Sequence, residues 1–200
     1  MKTVGKTVGS FAAVVLAAGA GARFGGGKLL APFRGAPLLH GALEAARAAT
    51  PGAITVVTGA DAEAVAAAAR AFDLGVGIVH APDHAEGMAA SLRAGIASLD
   101  PGVEAAFVFL GDMPRVPHAI LAQLAEAVAA GALAAAPVFA GRRGNPVILS
   151  RPLFAEIAGL TGDVGARPIL QALGARLALV EAPDDGVLFD VDERGDLPGA

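Results

Sequence analysis

Apolar residues gather along this chain in short blocks: FAAVVLA at 11–17, AITVVTG at 53–59, GVGIVH at 75–80, AAFVFLG at 105–111, LAAAPVFA at 133–140, PVILS at 146–150 and ARLALVEA at 175–182. Several lack alternating polar positions, the mark of strands buried on both faces. Between the blocks, Leu39, Leu43 and Ala46 keep helical spacing after Pro37, and Ile120, Leu124 and Val128 do so after Pro117. Each proline stands near a first helical turn. The alanine-rich DAEAVAAAARAF, 61–72, carries helix-compatible charges and an apolar face, so it predicts a helix and not a linker. Strand and helix alternating in this way predict a single α/β domain over 1–200. It is a Rossmann-like, three-layer αβα sandwich around a mainly parallel sheet. The head, 1–10, is expected to be disordered, and the closing stretch VLFDVDERGDLPGA to fray at its turn residues.

A hydrophobic content of 54% and a mean hydropathy of +0.60 raise the question of a membrane. The longest run without a charge, Thr7 to Ala22, has 16 residues and includes three glycines, too short and too broken to span a bilayer. Lys2 and Lys6 followed by FAAVVLAAGAGA imitate a secretory signal. Cleavage near Ala22, however, would remove the first strand and half of the glycine loop. With no cysteine there are no disulfides, thiolate metal sites or cysteine nucleophiles, which suits a reducing compartment; the cytoplasm is the expected location. A net charge of −4, no basic run, and neither Trp nor Tyr leave no footprint for nucleic acid. A small-molecule site is expected.

In such folds ligands sit at the carboxyl ends of the strands. Three stretches follow strands or lie near the end: the loop LAAGAGARFGGGKLL at 16–30, LGDMP at 110–114 and FDVD at 189–192. The loop is not a P-loop, because Ala22 and Leu29 stand where glycine and Ser or Thr are required. Nor is it a dinucleotide fingerprint, because Phe24 takes the place of the third glycine. Its bare backbone can present N–H groups to anionic oxygens while Arg23 and Lys28 meet phosphates. The alternative reading of the loop by itself is a strand-to-helix turn with two solvated cations. Asp112 either caps a turn or holds Mg²⁺ together with phosphate oxygens. Asp190 and Asp192, on one side of an extended chain, could add a second carboxylate, and spacing does not choose between them.

Taken together, LAAGAGARFGGGKLL, EGMAASLRAG, LGDMP, GRRGNPVILS, GDVGARPIL and FDVDERGDL stand in the order found in the molybdenum cofactor cytidylyltransferases. These are a branch of the MobA-like nucleotidyltransferases that also includes the molybdopterin guanylyltransferases. The chain resembles that family from about Val14 to Leu197. The resemblance implies the nucleotide-diphospho-sugar transferase type of fold. It also implies Mg²⁺-dependent transfer of CMP from CTP to the phosphate of a molybdenum-bound pterin, with release of pyrophosphate. Leu16, Ala17, Ala18, Gly19 and Gly21 would hold the nucleotide through backbone groups, with Arg23 and Lys28 on its phosphates. Asp112 would hold the metal, assisted by Asp190 or Asp192, and the catalytic residues would be Arg23, Lys28 and Asp112.

Ser91, opening the helix SLRAGIASL, would touch base or ribose, or simply cap the helix. Asn145, Asp163 and Arg167 would face the acceptor, and Arg142 and Arg143 are either further phosphate partners or solvated surface. Two positions depart from the family: Asn145 stands where relatives often have His, and Phe24 where Met is frequent. The implied partners are CTP, the phosphorylated pterin and the molybdoenzyme that receives the product, with no nucleic acid and no membrane; the protein is expected to be a monomer. Some relatives are nicotinamide-dependent oxidoreductases acting on heteroaromatic compounds, and a GTP-using transferase or a plain cofactor carrier are further alternatives. Of the four histidines only His84, in APDHAEGM, lies near a nucleotide-side block.

Overall fold

All seven apolar blocks become strands of one sheet in the computed structural model, which describes residues 10–197. The strands are β1 (Phe11–Ala17), β2 (Pro32–Phe33), β3 (Ala36–Pro37), β4 (Ile54–Thr58), β5 (Gly77–His80), β6 (Ala105–Leu110), β7 (Ala134–Phe139), β8 (Arg142–Arg143), β9 (Val147–Ser150) and β10 (Leu177–Glu181). Six helices accompany them: α1 (Leu38–Ala49), α2 (Ala62–Phe72), α3 (Met88–Ala97), α4 (Ala119–Ala129), α5 (Phe154–Ala158) and α6 (Arg167–Leu173). The main sheet runs β10-β7-β9-β6-β1-β4-β5, with β8 beside β7 and β2–β3 as a separate hairpin. Its pairs are parallel except where β9 runs against β6 and β7, and β8 against β7.

Successive residues of β1 face opposite sides of the sheet, as a strand's period of two requires. Phe11, Ala13, Val15 and Ala17 join the core under α1, α2 and α4. Val14 and Leu16 join the core under α3, α5 and α6. This is the expected three-layer sandwich. Close approach of α3 to the sheet depends on Gly95, where a Cβ would lie 2.5 Å from Val14 Cγ1. Among the described residues no helix is long and apolar enough to cross a membrane.

From β1 the chain builds β4 and β5 outward on one side and then places β6 on the other. The connections on either side of β1 therefore diverge, which opens a crevice at the carboxyl ends of β1 and β6, the usual ligand position in such sheets. Gly111 N–H donates to Leu16 O (2.9 Å), so the turn carrying Asp112 lies beside the start of the glycine loop.

Two expectations about the ends need correction. Residues 1–9 lie outside the described residues, but Ser10 is tied down, its carbonyl accepting from Glu104 N–H at 3.0 Å. Of the closing stretch, residues 198–200 lie outside the described residues, and 187–197 are held against the core, with Val187 and Val191 fully buried. FDVD is not an extended strand either; Asp190 and Asp192 lie in irregular backbone that Asp196 holds by accepting from the N–H groups of Asp192 and Glu193, both at 2.8 Å. Those two bonds lower the Asp196 carboxyl below the ordinary carboxylate value.

Candidate active site

The glycine loop leaves β1 at Ala18 and returns to a short helical turn, Lys28–Leu30. Gly21 O accepts from the N–H groups of Phe24, Gly25 and Gly26 at 3.0, 3.1 and 3.1 Å. Those three amides are therefore spent inside the loop. Among the described residues the N–H groups of Gly19 to Arg23 have no backbone partner, and neither do those of Gly27 and Lys28 at the far end of the loop, so these are the amides left to meet a ligand. The carbonyls of Leu16 and Ala18 are already bonded, to Gly111 N–H (2.9 Å) and Ala60 N–H (3.1 Å). Leu16 contributes its side chain to the cavity wall, whereas Ala17 is buried in the core beneath.

Four charged groups meet where the loop faces LGDMP and the C-terminal tail. Lys28 Nζ donates to Asp112 Oδ2 at 2.7 Å and lies 3.7 Å from Asp192 Oδ1. Arg23 donates to Asp192 Oδ2 at 2.6 Å. The tail is fixed there because Val191 N–H donates to the backbone carbonyl of Asp112 (3.0 Å). The sequence left the choice between Asp190 and Asp192 open, and both acids sit at this point. Burial raises the Asp190 carboxyl above its ordinary value, and the nearby carboxylates of Asp112 and Asp192 raise it further; its own backbone amide and Lys28 pull the other way. A carboxyl held back from ionising by burial and by neighbouring carboxylates, as Asp190 is, fits a place beside a hard divalent cation. Among the described residues no group of three or more His, Cys, Asp or Glu side chains is placed to hold a metal ion, so an ion here would need oxygens from phosphate or water to complete its shell.

A pH dependence follows from Asp190. Its folded value lies above its unfolded one, so the stability it contributes is present below the ordinary value of 3.8 and is lost as pH rises through the folded value. Asp190→Asn should therefore melt higher than the unaltered protein at pH 7 in a chelator, with the gap closing below about pH 4. Melting curves across that range check it. An equal gap at both ends would show that burial and the neighbouring carboxylates do not hold Asp190 back from ionising.

Beside the charged cluster the crevice divides into two lobes. One, of about 190 Å³, is lined by Ala18, Gly19, His84, Gly87, Ser91 and Asp112, among others. The other, of about 230 Å³, has apolar walls from Leu92, Val108, Val147 and Leu170 and a polar rim of Arg143, Asn145, Asp163 and Arg167. Leu16, Met88, Leu110 and Asp163 border both. Asn145 is placed by its N–H, which donates to Val187 O at 2.9 Å, so the rim of this second lobe is pinned to the tail that carries Asp190 and Asp192.

Arg142 is not in this crevice but lines a separate groove with Phe139, Asp185 and Phe189. Ser91 does not open a helix. Gly87 is the N-cap of α3, and Ser91 lies within the helix, buried and turned toward the first lobe. Capping is thereby excluded as its reason. Met88 and Gly87 lie outside the residues read from sequence as candidates; the block EGMAASL contains both, but its spacing carries no chemical signature.

Residues 13–177 match the MobA-like NTP transferase domain. The chain belongs to the MobA-like NTP transferase family. Nicotine blue oxidoreductase of Paenarthrobacter nicotinovorans is 31% identical over 187 residues, 90% of each chain. The crystal structure of Rv0371c from Mycobacterium tuberculosis H37Rv superposes with a TM-score of 0.84 at 32% identity, covering 96% of both chains. The same mycobacterial protein in complex with manganese gives 0.73 at 30% identity, over 86% of this chain and 88% of that one. A nucleotidyl transferase from Methanothermobacter thermautotroptrophicus gives 0.78 at 26% identity, over 93% of each. This chain is thus a nucleotidyltransferase of the MobA-like family, and the manganese complex agrees with a divalent metal among its members. The fold is the nucleotide-diphospho-sugar transferase type that the resemblance implied.

Proposed function

We propose that the protein transfers CMP from CTP to the phosphate of a molybdenum-bound pterin and releases pyrophosphate. The observation that supports this most is the pair of lobes meeting at Leu16, Leu110 and Asp163, with Lys28, Arg23 and the acidic trio at one end. One lobe suits a nucleoside and the other, apolar with an arginine rim, a flat heteroaromatic ring carrying a phosphate. The unbonded amides of Gly19 to Arg23, with Arg23 and Lys28, would bind the triphosphate. Asn145, Asp163 and Arg167 would orient the acceptor.

An acceptor phosphate oxygen then bonds to the α-phosphorus as the bond to the β-phosphate oxygen breaks. The chain holds the two reactants in line and neutralises charge, with no covalent intermediate on the protein. Mg²⁺, held by Asp112 with Asp190 or Asp192, would supply a hard cation against the charge of the transferring and leaving phosphates. The protein acts as a monomer in the cytoplasm in this reading and hands its product to a molybdoenzyme.

Base choice rests on Ala18, which borders the nucleoside lobe. Its methyl leaves less room for a purine than the glycine typical of the guanylyl branch. Such a difference is worth only about 1–3 kcal/mol. With Mg²⁺ and molybdenum cofactor, pyrophosphate release should favour CTP over GTP, and Ala18→Gly should accept GTP better. A preference for GTP in the unaltered protein would overturn the cytidylyl assignment. The similarity to nicotine blue oxidoreductase favours a second reading, reduction of a heteroaromatic compound in the apolar lobe. Oxidation of a reduced nicotinamide without pyrophosphate release would decide for it.

A further inference from the structure

Asp163 belongs to both lobes, and its carboxylate already has a partner. Asp163 Oδ1 accepts from Met88 N–H at 3.1 Å, at the first residue of α3. Next to it Gly162 O accepts from Ala89 N–H, also at 3.1 Å. Loop 160–166 is thus bonded to the first turn of the helix that carries Met88 and Ser91 into the nucleoside lobe.

The fit between the two segments is close. Gly87 sits at φ +117°, where a side chain would be strained, and a Cβ there would lie 2.6 Å from Gly162 C and 2.8 Å from Asp163 N. On the other side of the clasp a Cβ on Gly165 would lie 2.8 Å from Met88 Sδ. Glycine at both places lets loop and helix end touch. Val164, Gly165, Ala166 and Arg167, which follow Asp163, border only the acceptor lobe.

We propose that Asp163 is a positioning residue that couples the two lobes: by capping α3 it makes the wall of the nucleoside lobe and the wall of the acceptor lobe one mechanical unit. This rests on the nucleotidyl-transfer reading of the crevice. A nucleotide that settles against Met88 and Ser91 fixes the first turn of α3, and the Asp163 and Gly162 bonds carry that order into residues 164–167. Arg167 is then held where an acceptor phosphate arrives. Coupling of this kind is reciprocal, so an occupied acceptor lobe strengthens nucleotide binding by the same factor.

The test uses the full chain with Mg²⁺ and CTP, read by calorimetric titration and by amide hydrogen exchange over 164–167, a segment that does not line the nucleoside lobe. In the unaltered protein CTP should bind and slow exchange there by at least about fivefold. Asp163→Ala should still bind CTP, with affinity reduced severalfold, and lose the slowing. Asp163→Asn keeps an oxygen that accepts from Met88 N–H and should restore it. Slowing that persists in Asp163→Ala, CTP binding without slowing in the unaltered protein, or an Asn variant that behaves like Ala would each overturn the coupling. Failure of the unaltered protein to bind CTP would show in the titration itself and would overturn the nucleotide reading along with this one.

Discussion

Asp112→Ala is expected to leave a folded protein whose nucleotidyl transfer falls by at least about a hundredfold. The fold should survive because what anchors the tail beside this position is the backbone carbonyl of Asp112, which receives Val191 N–H, and truncating the side chain leaves that bond in place. The turn is also held from the sheet side by Gly111 N–H on Leu16 O. What disappears is the carboxylate bonded to Lys28 Nζ at 2.7 Å. The loss bears on a step in which charge builds on phosphate oxygens, so it should appear mainly in kcat. Melting temperature with and without Mn²⁺ separates the two effects: the variant should melt close to the unaltered protein in chelator but gain less on adding the ion. Turnover within a few-fold of the unaltered level in a folded variant would remove Asp112 from the chemistry.

The sheet was legible because its strands are buried on both faces, so their sequences are nearly continuous apolar runs, and all seven stand where those runs are. What escaped was short or set by partners far away. The two-residue strands β2, β3 and β8 have no period to read. The antiparallel course of β9 depends on where the chain turns after β8, and no pattern within PVILS shows it.

The site divides in the same way. Arg23, Lys28 and Asp112 stand out as lone charges in bare or apolar surroundings, and the fold brings them together with Asp192. The tail carrying Asp190 and Asp192 reads as a fraying end because its order comes from Val191 reaching Asp112 and from Asp196 holding two amides. Ser91 was read as a helix start because EGM looks like loop. The helix begins three residues earlier, at Met88, because Asp163, distant in sequence, caps it.

Lys28→Ala should weaken CTP binding by about ten- to a hundredfold, and Arg23→Ala by less. In the proposed reading both cations meet phosphates, but the Lys28 side chain is 13% exposed and the Arg23 side chain 72%. Solvent and salt screen an exposed guanidinium more than a largely buried ammonium, so Lys28 should carry more of the binding. Each cation now rests on a carboxylate, Lys28 on Asp112 and Arg23 on Asp192. In the proposed reaction, metal and triphosphate bound together would exchange those partners: the cations would pass to phosphate and the carboxylates to the ion. Either ligand alone would leave one set of charges unmatched, so nucleotide and ion should each strengthen the binding of the other.

Removing Lys28 also takes away the cation that opposes repulsion among Asp112, Asp190 and Asp192, a pull already felt at Asp190. In chelator the Lys28→Ala protein should therefore melt below the unaltered one, and Mn²⁺ or Mg²⁺ should restore more of the difference than an equal ionic strength of NaCl. Calorimetric titration of CTP at two salt concentrations, with melting curves in chelator and in Mn²⁺, tests both halves. Unchanged CTP affinity in Lys28→Ala and Arg23→Ala alike would return the glycine loop to a plain turn.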